Sequence, residues 1–196
     1  MASNTRYSKT AYLALCGLFA ALSAICSYIN IPLGFTPIPM NLATLAVFLS
    51  GGLLGKKYGP LSIGVYVLMG AAGVPVFAGF QAGIGVLAGP TGGFLIGYIL
   101  ASFIVGLCLD KGLSSFGKHA ASSTRLSSKG HFALCIGVMA GGLLCCYALG
   151  TLWFAYITNT GIIAALVSCV LPFVLLDVVK TLVSSVLIMR LRPILQ

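Results

Sequence analysis

Acid is nearly absent from this chain. Of 196 residues, two are Asp or Glu against eleven Lys or Arg, and all charged residues together make up 7%. A soluble domain carries about a quarter charged residues. With 59% hydrophobic residues and a mean hydropathy of +1.10, the composition excludes a soluble fold and predicts a multi-pass membrane protein with one membrane domain over 1–196. No glycine loop ending in Lys-Ser or Lys-Thr is present, so the chain is not expected to hydrolyse ATP itself. The first apolar run, about 10–31, is too long for the core of a cleavable signal peptide. No CxxC occurs among the seven cysteines, which predicts buried small hydrophobes and no metal. His119 and His131 have no acid, Cys or His at ligand spacing, so neither an enzyme nor a bound cofactor is expected. The net charge of +9 is read as a marker of cytoplasmic loops rather than of nucleic acid.

What is present divides into apolar runs. A spanning helix needs roughly 20 apolar residues. Spans are expected at about 10–31, 41–55, 58–72, 91–110, 131–156 and 172–190, which is an all-α fold of six transmembrane helices. The apolar segment 161–171 is too short to cross and is expected at the interface, with Pro172 in the first turn of the last span. Arg6, Lys9, Lys56, Lys57, Lys111, Lys118, Arg125, Lys129, Arg190 and Arg192 then fall on one side, while 31–40, 73–90 and 157–171 carry no charge. That asymmetry predicts cytoplasmic termini and a basic cytoplasmic loop at 111–130.

Asp177 and Lys180 break the rule. They lie three residues apart inside the last apolar run, on one helix face. An ionisable group at such depth costs at least roughly 2.5–3.5 kcal/mol, so it normally faces a cavity and marks a ligand path. The plain alternative is an ion pair that pins the last span to its neighbours.

Two uncharged outer segments surround that position. Residues 73–98 are rich in glycine and carry only Gln81, Thr91 and Tyr98 as polar side chains, which suits a lid over an outward pocket at 73–90 or a packing loop on the helix tops. Residues 30–41 hold three prolines and would form a stiff wall. Tyr147 and Trp153 suit either the pocket or the interfacial belt. Gly17, Ala20, Ala21 and Ala24 make a small-residue stripe that suits internal packing or docking to another membrane protein.

IPLGFTPIPMNLATLAVFLSGGLLG, GVPVFAG, GPTGGFLIGY and LPF followed by Asp177 and Lys180, in this order and spacing, resemble the BioY family over about 10–190. Those proteins are the biotin-specific substrate-binding subunits, or S components, of energy-coupling factor (ECF) vitamin transporters. The resemblance implies a six-helix S-component fold, high-affinity biotin binding near the outer face of the cytoplasmic membrane of a bacterium, and uptake together with a transmembrane coupling subunit and ATPase subunits. It maps the family's acid and base onto Asp177 and Lys180, and its loop glycines onto Gly79, Gly92 and Gly93 beside Thr91. Phe77 and Gln81 join the expected binding set from the same loop, and Ala20 with Ala24 is the implied docking face. The chain departs from the family at Leu176, commonly glycine, and at Phe80 and Gln81, where a Gly-Gly run often stands. A self-contained biotin facilitator, or an S component for another vitamin, are the alternative functions.

Overall fold

The computed structural model describes residues 8–31, 34, 38–119 and 128–195, and side chains outside 112–129 and 194. Much of the expected basic loop, including Arg125, and part of the 30–41 wall lie outside the described residues. The fold is helical: α1 (Lys9–Tyr28), α2 (Ala43–Ala71), α3 (Ile84–Ala88), α4 (Gly92–His119), α5 (Ser128–Thr158), α6 (Ile162–Cys169) and α7 (Leu171–Leu195). A single antiparallel bridge, β1 (Asn30–Ile31) with β2 (Met40–Asn41), ties the ends of the loop between α1 and α2.

Among the described residues, four helices are long and apolar enough to cross a membrane, over Lys9–Tyr28, Gly92–Lys111, Gly130–Thr158 and Leu171–Pro193. The two expected spans at 41–55 and 58–72 emerge as one element, α2, broken at Gly55 (φ 77°, ψ −174°). Residues eight apart in a straight helix are about 12 Å apart. Yet a Cβ placed on Gly59 would lie 2.8 Å from the Gly51 Cα. The chain therefore turns back on itself at Gly55, and α2 is a hairpin of two short helices. Left-handed φ of this kind favours glycine, and the Asp110 carboxylate leaves no room for a Cβ there, its Oδ2 standing 2.9 Å from the ideal position.

The helix ends sort into two groups. At one end Lys56 N–H donates to Asp110 Oδ2 (3.0 Å), Arg192 Nη2 donates to Asp110 Oδ1 (2.6 Å), and the rings of Tyr12 and Tyr58 stack at 4.8 Å. This end thus gathers the N-terminal part of α1, the elbow of α2 and the C-terminal part of α7. The uncharged loops meet at the opposite end. Each end has its own apolar core: Phe48, Leu53, Leu109, Met139 and Ile188 below, and Val47, Ile63, Tyr66, Phe94 and Phe173 above. In between, α2 and α4 touch at Gly51, where a Cβ would collide with the Ser102 carbonyl oxygen, and at the elbow end they touch at Gly106, where it would lie 2.6 Å from the Gly55 carbonyl carbon.

Residues 161–171 hold the eight-residue α6, and Pro172 is the second residue of α7, where a missing N–H breaks no helical bond. The cysteines are free thiols distributed over α1, α4, α5 and α6.

Candidate functional site

The last helix is polar on its inner side. Asp177, Lys180, Thr181, Ser184, Ser185 and Arg192 are buried at spacings of three and four, while Leu175, Val178, Val179, Leu182 and Val186 are exposed on the other face. That distribution is inverted relative to a soluble helix and suits one bathed in lipid. Thr181 and Ser185 satisfy their hydroxyls locally on the Asp177 and Thr181 carbonyls, both at four residues back. The charged pair at the top of the stripe is bound differently.

Lys180 Nζ donates to Asp177 Oδ1 at 2.7 Å, to Thr44 Oγ1 at 3.0 Å and to the Asn41 carbonyl at 2.5 Å. An ammonium has three donors, so all three are engaged. Thr44 Oγ1 donates to Asp177 Oδ1 at 3.0 Å, and the Tyr147 hydroxyl donates to Asp177 Oδ2. The pair thereby joins α7 to the start of α2 and to α5. Asp177 and Lys180 are 2% and 4% exposed, and both border the main cavity. Burying two ions is repaid only with close geometry and satisfied hydrogen bonds, and this network supplies both.

The cavity measures about 280 Å³, at the small end of ligand pockets, which run from about 300 Å³ upward. Tyr66, Phe77, Phe94, Tyr98 and Phe173 give it aromatic walls. Asn30, Asn41 and Gln81 supply neutral polar groups, and Lys180 is the only Lys or Arg among the described lining residues. Burial pushes the Cys169 thiol up to about 11, so this lining residue of α6 stays neutral. Such a chamber can hold a compact, mostly apolar molecule by one end through a carboxylate acceptor.

The segment 73–90 roofs the cavity and is fastened on three sides. Tyr28 Oη donates to the Pro75 carbonyl (2.5 Å) and its ring stacks on Phe80 at 4.4 Å. Gly83 N–H reaches the Gly70 carbonyl at 2.7 Å, and Trp153 Nε1 reaches the Gly89 carbonyl at 2.9 Å. Gly79 and Phe80 both have positive φ (68° and 60°), so the turn places a non-glycine residue in left-handed backbone. Beneath it Phe77 stands edge-on to Tyr66, with centroids 5.7 Å apart.

Of the residues singled out from sequence, Asp177, Lys180, Phe77, Gly79, Gln81, Thr91, Tyr98 and Tyr147 line the cavity. Three that were placed with them do not. Gly92 packs against the Leu87 carbonyl and Gly93 against the Trp153 side chain, so both are glycine for close packing. Trp153 ties the roof to α5 from outside the cavity. The docking stripe also needs correction. Ala20 (1% exposed) and Ala24 (8%) face the core, and the exposed small residues of α1 are Ala14, Gly17 and Ala21. The 30–41 segment contributes Asn30, Ile38, Pro39 and Asn41 to the lining, whereas Thr44, Tyr66, Phe94 and Phe173 were missed. Thr44 could have been suspected as a hydroxyl in the first turn of an otherwise apolar helix, but the others carry no signal in sequence.

Comparison with known proteins agrees with this architecture. The BioY family model matches residues 1–196. The biotin transporter BioY of Thermotoga maritima is 40% identical over 178 residues, covering 91% of this chain and 94% of that protein. The biotin transporter BioY of Rhodobacter capsulatus is 35% identical over 191 residues, 91% of this chain and 93% of its own. Among solved structures, the S component for biotin from an ECF-type ABC transporter superposes with a TM-score of 0.80 at 27% identity, covering 97% of this chain and 95% of that one.

Proposed function

The chain belongs to the BioY family, and from that premise we propose that it is the biotin-binding S component of an ECF-type transporter, taking up biotin across the cytoplasmic membrane. It is a multi-pass membrane protein and not an enzyme. With the two arms of α2 counted separately, six helices cross the bilayer. The end carrying Lys56, Lys111, Arg190 and Arg192 is cytoplasmic, which leaves the cavity opening outward.

One observation carries the ligand assignment: the chain's buried acid borders a roofed, aromatic-walled cavity rather than a helix contact alone. Biotin's ureido ring offers N–H donors, its bicyclic body is apolar, and its carboxylate lies about 10 Å away, the length of about seven helical residues. The ureido group binds at Asp177, and the bicyclic body lies among Tyr66, Phe77 and Phe94. The carboxylate points toward the roof, where Asn30, Gln81 and Thr91 are available. Lys180 is committed to three protein acceptors, so its part is to hold Asp177 and the Asn41 carbonyl in place.

Among the described residues, the two arms of α2 and the facing side of α4 are packed backbone-tight at Gly51, Gly59 and Gly106 beneath the cavity, so the bundle is closed along that seam. That favours a subunit which needs a membrane coupling protein and ATPases over a facilitator acting alone. The face offered to such a partner is Ala14, Gly17 and Ala21, small residues exposed along one side of α1.

Radiolabelled biotin binding to the purified chain, with other vitamins as competitors, tests the assignment. Saturable binding displaced by biotin alone is expected, and binding lost equally to an unrelated vitamin would overturn it. In cells, Gly17→Trp should leave binding intact while uptake and recovery of partner subunits collapse. Ala20→Trp should instead impair folding. Normal uptake by the Gly17 variant would remove this docking face.

A further inference from the structure

Taking the biotin reading as given, we infer that Thr44 is a positioning residue of the binding site, acting on the ligand through Asp177. A carboxylate has about four acceptor positions. On Asp177, Oδ1 receives both Lys180 and Thr44, while Oδ2 receives Tyr147. One acceptor position therefore remains, on Oδ2 beside the Tyr147 hydroxyl, and a ureido N–H can take it without displacing any protein donor. Where that position points depends on what fixes the carboxylate plane.

Thr44 is the residue placed to do so. Its hydroxyl is the middle member of a closed triangle with Asp177 and Lys180, giving its proton to Oδ1 and receiving one from Nζ. That single proton is spent on Asp177, so the hydroxyl has none to donate to a ligand. The side chain is 8% exposed and β-branched, with few χ1 states open to it. It sits two residues after Leu42, the cap of α2, where Asn41 also accepts from Lys180. The start of α2 thus holds the cation and one oxygen of the carboxylate, with Tyr147 of α5 on the other, although 133 residues separate Thr44 from Asp177. Loss of the hydroxyl would leave one contact on each oxygen, Lys180 on Oδ1 and Tyr147 on Oδ2, so the carboxylate could rock about the line between them.

Thr44→Val keeps the shape and removes the hydroxyl; Thr44→Ser keeps the hydroxyl. Thr44→Val should weaken biotin binding about tenfold or more, the scale of a lost bond to a charged group, while Thr44→Ser binds as the wild type does. The diagnostic readout uses two analogues, biotin methylated on one or other ureido nitrogen and biotin amide. Thr44→Val should shrink the penalty of ureido methylation and leave the penalty of amidation unchanged. Any steric part of the methyl penalty is common to both proteins and cancels in the comparison. Equal losses for biotin and all analogues would mean a merely structural role and overturn the inference, as would wild-type affinity in Thr44→Val. Should Thr44→Val and Thr44→Ala both fail to fold while Thr44→Ser folds, the hydroxyl is structural and the inference fails too. Absence of biotin binding by the wild-type chain would instead remove the reading on which it rests.

Discussion

Asp177→Asn should both weaken biotin binding and destabilise the protein, and the two effects should separate in a double variant. The binding loss follows from replacing a charged acceptor for the ureido N–H, at about 1.5–3 kcal/mol. The stability loss has another source. Lys180 is 4% exposed, and the substitution leaves its ammonium without a counter-charge. Removing one member of a buried pair costs about 3–5 kcal/mol. Lys180→Met leaves the complementary charge on Asp177 and should destabilise by a similar amount.

Asp177→Asn with Lys180→Met removes both charges at once. Replacing a whole buried pair by neutral groups is often neutral for stability, so the double variant should recover most of the wild-type thermal midpoint in detergent. It should not recover binding, since no acceptor of comparable strength remains for the ligand. Thermal unfolding and labelled-biotin titration of the four proteins decide the matter. Recovery of binding along with stability would show that the pair serves the fold alone. An unchanged affinity in Asp177→Asn would detach the carboxylate from the ligand.

Asp177 and Lys180 were legible in the sequence because charge inside an apolar run is rare and costly, so two charges three residues apart stand out on one face. The elbow at Gly55 was legible as a gap between two apolar runs, marked by Lys56 and Lys57. The phase of α1 was not legible. Small residues occur around much of that helix, and spacings of three and four fit Ala20 with Ala24 as well as Gly17 with Ala21. Only packing against α2 decides which pair faces inward. Thr44 and Asn41 reach Lys180 across more than 130 residues, and a single sequence holds no information on such a pairing. Gly92 and Gly93 advertised a close approach, but not that the approach is to Leu87 and Trp153 rather than to a ligand.

Gly106→Val should yield almost no folded protein, while Gly141→Val on the neighbouring helix should be well tolerated. A Cβ on Gly106 would stand 2.6 Å from the carbonyl carbon of Gly55 and from the amide nitrogen of Lys56, both backbone atoms. The backbone cannot retreat cheaply. The Lys56 N–H is held by Asp110, whose other oxygen is held by Arg192, and Gly55 already occupies the left-handed region. Overpacking a closed site typically costs about 1–3 kcal/mol, and here three helix ends share the strain. Gly141 is exposed and has nothing within 4 Å of a Cβ, so valine there meets no clash and is no worse a helix former than the glycine it replaces. Yield after detergent extraction and the thermal midpoint make the comparison. The fraction of Gly106→Val that does fold should bind biotin normally, because its defect lies at the end of the bundle away from the cavity. A full yield of stable Gly106→Val would show that the elbow gives way, and with it would go the reason for expecting the lower half of the bundle to be closed to the ligand.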